Sequence, residues 1–229
     1  MLRLRPIHYT DHIDDWARLL EGLGLVRALD FGDWLEFDSL HGRVALQRAS
    51  AADAAGGDSL LAFEVGNLDE FVRRTREAGT DVDIRASEYG RTAAMSGPDG
   101  LAMIADVEKE RPEPASADAS VHVMPVWRTP DVGGAAQTLR NLGAKTLVPG
   151  DGWTQLGAKN GGMVGVHAGT APGVALSFEY DGDAQQLLER LASAGFSARL
   201  DQEAFGRTVK VANPDGGEEI WVNEWPAGE

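Results

Sequence analysis

The sequence predicts an α+β protein made of four copies of one strand–helix–three-strand (βαβββ) unit. Three observations carry that prediction. The chain repeats itself, each copy holds one amphipathic helix that stops at a glycine, and two of the copies close on a Pro-Asp-Gly turn before an apolar strand.

The repeat comes first. Pro6 to Gly24 (PIHYTDHIDDWARLLEGLG) aligns without a gap on Pro125 to Gly143 (PVWRTPDVGGAAQTLRNLG), and Trp34 keeps the same register with Trp153. Phe63-Glu64 answers to Phe178-Glu179, Tyr89-Gly90-Arg91-Thr92 to Phe205-Gly206-Arg207-Thr208, and Pro98-Asp99-Gly100 to Pro214-Asp215-Gly216. The halves therefore span 1–108 and 120–226. Between them KERPEPASADA, residues 109–119, has the composition of a linker.

In the first unit, LRLRPIHY reads as a strand, followed by a helix over 11–23. Ile13, Trp16, Leu19, Leu20 and Leu23 share one face of that helix, Asp11 stands at the cap position, and Gly24 ends it. WLEFDS and RVALQR follow as strands. The second unit repeats the design with LLAFEV, then a helix over 67–78 capped by Asn67 with Leu68, Phe71, Val72 and Thr75 on its face, then DVDIRA, TAAMS and LAMIADV. Helices over 131–142 (Val132, Ala135, Leu139, Leu142) and 183–194 (Leu187, Leu188, Leu191) mark the third and fourth units, each ending at a glycine. Gly97-Pro98-Asp99-Gly100 and Asn213-Pro214-Asp215-Gly216 are strong turns before a last strand.

Composition narrows the chemistry. At 229 residues, with 43% hydrophobic and 25% charged, the chain has the make-up of a globular protein. A net charge of −15 repels phosphate backbones, so nucleic acid is not an expected partner. The absence of cysteine removes thiolate metal sites, Fe–S clusters and cysteine nucleophiles. No stretch approaches the ~20 apolar residues that span a bilayer, and no signal peptide is recognisable, so a cytoplasmic protein without membrane contact is expected. Nor does any G-x-S-x-G, H-E-x-x-H or G-x-G-x-x-G motif support a hydrolase, zincin or dinucleotide reading.

A helix ending in LG or AG and a late PDG turn into an apolar strand, repeated in pairs over nearly the whole chain, resembles the vicinal oxygen chelate superfamily. That superfamily includes glyoxalase I, extradiol dioxygenases, and fosfomycin and bleomycin resistance proteins. The resemblance implies that two units form one cup-shaped sheet around a ligand cavity, so that the chain holds two tandem glyoxalase/bleomycin-resistance-like domains, 1–108 and 120–226. Cups completed within one chain imply a monomeric pseudo-dimer or a weak homodimer. It also implies where a metal would sit, on the first and last strands of paired units. Those positions fall near Leu4, Leu60, Ile104 and Ile220, and near Val123 or Met124 and Ala175, none of which suits a divalent cation. No metal and no cofactor are therefore expected.

Polar and aromatic residues near those positions supply the site candidates. If Leu4 faces the cup, alternation turns His8 inward and Glu64 with it, as an acid–base pair or as a strand-end histidine and a carboxylate held by backbone donors. Glu64 and Glu179 stand in equivalent FEV and FEY contexts, each either facing a helix N-terminus or receiving a cationic ligand. Gln47 and His167 lie a few residues from those positions. Trp34, Trp153, Trp127 and Tyr89 are aromatic lining candidates, with Ile104 and Ile220 as apolar lining; Trp127 replaces His8 in the second half. The first half is the more acidic, so a cation is expected to prefer it. The sequence thus points to metal-free binding of a small organic ligand, cationic or aromatic. The alternative is an enzyme of that superfamily: a metal-dependent lyase or dioxygenase, or a metal-free isomerase or cyclase using His8 and Glu64.

Overall fold

The structure, a computed structural model, describes residues 2–50, 55–87, 90–109 and 116–225. The first module comprises β1 (Leu2–Leu4), β2 (Ile7–Thr10), α1 (Ile13–Gly22), β3 (Val26–Asp30), β4 (Trp34–Ser39) and β5 (Gly42–Arg48). The second comprises β6 (Ser59–Val65), α2 (Leu68–Glu77), β7 (Asp83–Ser87), β8 (Gly90–Ser96) and β9 (Ala102–Val107). In the third are β10 (Val121–Val123), β11 (Val126–Thr129), α3 (Val132–Asn141), β12 (Lys145–Val148), β13 (Trp153–Gly157), β14 (Met163–Ala168) and β15 (Gly173–Ala175). The fourth has β16 (Phe178–Tyr180), α4 (Ala184–Ser193), β17 (Ala198–Glu203), β18 (Gly206–Val211) and β19 (Ile220–Glu224). The four βαβββ modules are thus present, and the fold is the α+β one that the repeat predicts.

Two details differ from the sequence reading, each for a local reason. LRLRPIHY is two strands, because Pro6 has no N–H to donate and its ring disfavours continuation; Pro125 separates β10 from β11 in the same way. Asp11 does not cap α1. The N-cap is His12, whose side chain makes no cap bond, and the Thr10 hydroxyl accepts the His12 N–H at 2.8 Å instead. The side chains of Asn67, Asp131 and Asp183 do cap α2, α3 and α4.

The described chain resolves into two compact units whose make-up crosses the sequence repeat. Unit 1 takes 1–7, 59–112 and 125–175, so it joins the second module to the third; unit 2 takes 8–58, 113–124 and 176–229, joining the first to the fourth. Unit 1 holds the sheets β1-β6-β9-β8-β7 and β12-β13-β14-β11-β15. Unit 2 holds β3-β4-β5-β2 and β10-β16-β19-β18-β17. In each unit a backbone hydrogen bond ties the two sheets at equivalent places. Leu4 N–H donates to Gly161 O at 3.0 Å in unit 1, and Val123 N–H donates to His41 O at 3.0 Å in unit 2.

Every sheet buries one face against its helix and turns a more polar face the other way, as strand alternation requires. In the fourth module Phe178, Val209, Val211, Ile220 and Val222 are fully or almost fully buried on the apolar side, together with Leu187 and Leu191 of α4. Each contributes about 1.5–3 kcal/mol by leaving water. Glu179, Asn223 and Thr208 stand across adjacent strands on the opposite side. None of the helices among the described residues is long and apolar enough to cross a membrane.

Candidate functional site

The polar face of the second module is a charged row inside unit 1. Register places Arg3 opposite Glu64, Glu64 beside Asp106, and Asp106 opposite Thr92. Arg5, 6% exposed, reaches into this row: one terminal nitrogen donates to Asp106 Oδ2 at 2.6 Å, and its Nε lies 3.8 Å from Glu64 Oε1. The Thr92 hydroxyl donates to Asp106 Oδ1 at 2.6 Å, and Arg3 lies 3.3 Å from Glu108. One buried and one half-buried arginine therefore face three carboxylates. Such a cluster holds only while its geometry is complete, because each member would be costly to bury by itself.

The fourth module carries the same row inside unit 2 with every charged residue but the glutamate replaced. His122 stands opposite Glu179, Glu179 beside Asn223, and Asn223 opposite Thr208, the register of unit 1 residue for residue. The backbone confirms the equivalence: Arg5 N–H donates to Ala62 O, and Met124 N–H to Ser177 O. Glu108 N–H donates to Val65 O, and Trp225 N–H to Tyr180 O. So His122 replaces Arg3, Met124 replaces Arg5, Asn223 replaces Asp106, Trp225 replaces Glu108, and only the glutamate and the threonine persist.

Those replacements set the electrostatics. Glu179 is 8% exposed, and the Asn223 amide donates to its Oε1 at 3.4 Å, a long bond. Burial outweighs that one donor and pushes the carboxyl up to about 7. Next to it, the His122 ring stacks on His41 at 3.9 Å with 5° between planes, and Trp225 lies 5.2 Å away. Burial first, and the neighbouring His41 second, lower His122 to about 4, partly offset by Asp181. At neutral pH unit 2 therefore offers a half-ionised carboxyl beside an uncharged imidazole and an aromatic wall.

His8, expected as an acid–base partner of Glu64, has a different companion. Its Nε2 is 2.8 Å from Asp215 Oδ2 in the NPDG turn; the same carboxylate accepts from Thr10 Oγ1 at 2.5 Å and Trp16 Nε1 at 2.6 Å. Burial alone would raise the Asp215 carboxyl, but the hydrogen bonds from His8, Thr10 and Trp16 hold it below the ordinary value. In unit 1 the fully buried Trp127 takes the place of His8, donating from Nε1 to Asp99 Oδ2 at 2.8 Å. Gly97 makes room for it, since a Cβ there would lie 2.3 Å from the Trp127 ring; Asn213 is its counterpart in the other turn. His8 and Trp127 are thus anchors for the PDG turns. His8 belongs to unit 2 and Glu64, beside Arg5, to unit 1.

The other candidates separate likewise. Trp34 and Gln47 are cross-strand neighbours in unit 2, with Trp34 Nε1 donating to the buried Glu36 at 3.0 Å. Trp153 and His167 pair across β13 and β14 in unit 1, ring centroids 5.9 Å apart, with His167 exposed. Ile104 is half-buried between Ala62 and Ala94, on the Glu64 side of its sheet. Ile220, expected as lining, is instead 2% exposed on the helix-facing side, opposite Val211. Tyr89 lies outside the described residues. The arginines of both Gly-Arg-Thr motifs make ion pairs at helix starts, Arg91 with Asp69 and Arg207 with Asp183. Sequence reasoning missed Arg3, Arg5, Asp106, His41, His122 and Trp225. The repeat held the signal, because Arg-Leu-Arg at 3–5 aligns with His-Val-Met at 122–124 in the register that pairs Pro6 with Pro125.

A metal at the positions implied by the superfamily does not fit this chain. Leu4, Val123, Met124 and Ile220 are buried side chains without a nitrogen or oxygen donor, and among the described residues no three His, Asp or Glu gather into a metal-holding group.

No protein-family model and no curated protein matches the chain. Solved structures do. A catechol 2,3-dioxygenase is 17% identical with a TM-score of 0.63, over 99% of this chain and 94% of its own. The Mn(II)-bound glyoxalase of Novosphingobium aromaticivorans is 16% identical at 0.62, over 97% and 80%. Homoprotocatechuate 2,3-dioxygenase of Arthrobacter globiformis is 17% identical at 0.64, over 97% and 78%. Four βαβββ modules matched along almost their whole length by dioxygenases and a glyoxalase show that this chain shares the fold of those proteins.

Proposed function

We propose that the chain binds a small organic cation without a metal, and that the ligand's positive group meets Glu179 in unit 2. One observation carries this reading. Of two equivalent buried glutamates, Glu64 has an arginine beside it, whereas Glu179 has Met124 at the corresponding place and one long hydrogen bond. A carboxylate buried without a cation is costly, and an arriving cation repays that cost. The His41–His122–Trp225 wall suits an aromatic or aliphatic body attached to the charge. The preference expected for the first half on net charge thus passes to the fourth module, because what counts is the local pairing.

Calorimetry with benzylamine, benzyl alcohol and benzoate at pH 8 tests this. The amine is expected to bind one per chain, and the alcohol and acid at least tenfold more weakly. Glu179→Gln should cost the amine at least tenfold and Glu64→Gln less than threefold. Absence of binding by any organic cation, a preference for benzoate, or undiminished binding to Glu179→Gln would overturn the reading.

A second reading has its own support. Glu179 and His122 are register partners, one near 7 and the other near 4. A carboxyl poised at neutral pH beside a neutral imidazole suits proton transfer to and from a bound carbon or oxygen acid. Turnover with a bell or step near pH 7 that is lost in Glu179→Gln would favour an isomerase-type activity over binding alone.

A further inference from the structure

The duplication supplies a template for the ligand. In unit 1 the group seated on the Glu64–Asp106–Thr92 row is a guanidinium, brought there by Arg5 from the link between β1 and β2. In unit 2 the same backbone position carries Met124, held by the equivalent hydrogen bond, and the row beneath it is Glu179–Asn223–Thr208. We propose that the cation recognised in unit 2 is a guanidinium or amidinium, seated on Glu179 and Asn223 as the Arg5 side chain is seated on Glu64 and Asp106. This rests on the reading that Glu179 receives a cation, and it adds which cation.

Three features favour a planar forked group over a compact ammonium. First, a guanidinium presents parallel N–H donors that match a carboxylate edge, while an ammonium acts as a point charge and is more strongly hydrated. Second, the acceptors that Arg5 meets are spread across two strands: Asp106 at 2.6 Å from a terminal nitrogen and Glu64 at 3.8 Å from Nε. Their counterparts Glu179 and Asn223 stand in the same register, with the Asn223 carbonyl oxygen accepting from Thr208 at 3.1 Å and its amide turned to Glu179. Third, the replacement of Asp106 by Asn223 and of Glu108 by Trp225 leaves a single carboxylate, so one monovalent cation balances the row, whereas unit 1 sets Arg3 and Arg5 against three acids. Arg5 is, in effect, a built-in ligand that unit 2 lacks. Restoring it by Met124→Arg should fill the seat from within.

Calorimetry at pH 8 with benzylguanidine and benzylamine, which share one aromatic body, tests the inference on the intact chain. The unmodified protein should bind benzylguanidine at least tenfold more tightly than benzylamine. Met124→Arg should lower benzylguanidine affinity at least tenfold, while Met124→Leu, which adds no charge, should hold it within threefold. Equal affinity for the two probes, or tighter binding of the amine, overturns the guanidinium assignment and leaves the broader cation reading standing. Binding of neither probe overturns both. Undiminished binding to a folded Met124→Arg shows that the cation sits elsewhere and overturns the inference; if that variant does not fold, the ratio of the two probes on the unmodified protein decides alone.

Discussion

Glu179 and Glu64 began as one residue in a duplicated sequence and now have different electrostatic lives, because a side chain on the adjoining chain segment changed from Arg5 to Met124. The difference is measurable as stability. A carboxyl near 4.5 in the unfolded chain and near 7 in the folded one binds its proton more tightly when folded, so it costs nothing below about pH 4.5 and destabilises increasingly as pH rises to about 7. Glu179→Gln is therefore expected to leave stability unchanged at pH 4 and to raise it by about 3–4 kcal/mol at pH 8, from about two and a half pKa units at about 1.4 kcal/mol each. Urea denaturation at the two pH values measures this, and equal stabilisation at both would contradict it. His122 runs the other way. Its folded value near 4 lies below its ordinary 6.5, so stability is lost as pH falls through that window, and His122→Phe should flatten the acid limb. Glu179 was legible in the sequence as a candidate. Its state was not, because that depends on Met124, Asn223 and His122, which only strand register brings to it.

At the scale of elements, the PDG turns fasten the modules, and the two fastenings differ in strength. Asp215 accepts from three buried donors, whereas Asp99 accepts from Trp127 and from the Leu101 N–H of its own turn. Leaving buried donors without an acceptor costs about 1–3 kcal/mol each, with relaxation recovering part. Asp215→Ala is expected to destabilise by about 3–5 kcal/mol and Asp99→Ala by about 1–2, read by chemical denaturation; equal losses would show that the turns do not pin through their carboxylates. The helices were legible to within about two residues, since apolar periodicity and a terminal glycine act locally. The β3 and β12 strands were not, because their sheet-edge residues are mostly exposed and show no alternation of apolar and polar side chains.

For the whole molecule, the repeat in the sequence and the compact units in space follow different boundaries. Each unit takes one module from each half, so neither 1–109 nor 116–229 contains a complete unit. Co-expressed as separate chains, the two pieces are expected to purify together as a one-to-one complex. Either piece alone should unfold at lower urea than the intact chain; a lone piece as stable as the whole would contradict this partition. The repeat was readable from aligned residues. The partition was not, because sequence similarity identifies which modules are alike and packing decides which are adjacent.

Glu179 is a buried carboxyl awaiting a cation, and its own titration tests that most directly. Carbon-13 NMR of protein labelled at the glutamate carboxyls, with the Glu179 signal assigned by its disappearance in Glu179→Gln, gives the midpoint without any ligand. A midpoint near 7 is expected, moving down by at least one unit in the presence of saturating benzylguanidine. A midpoint near 4.5, unmoved by the cation, would contradict it.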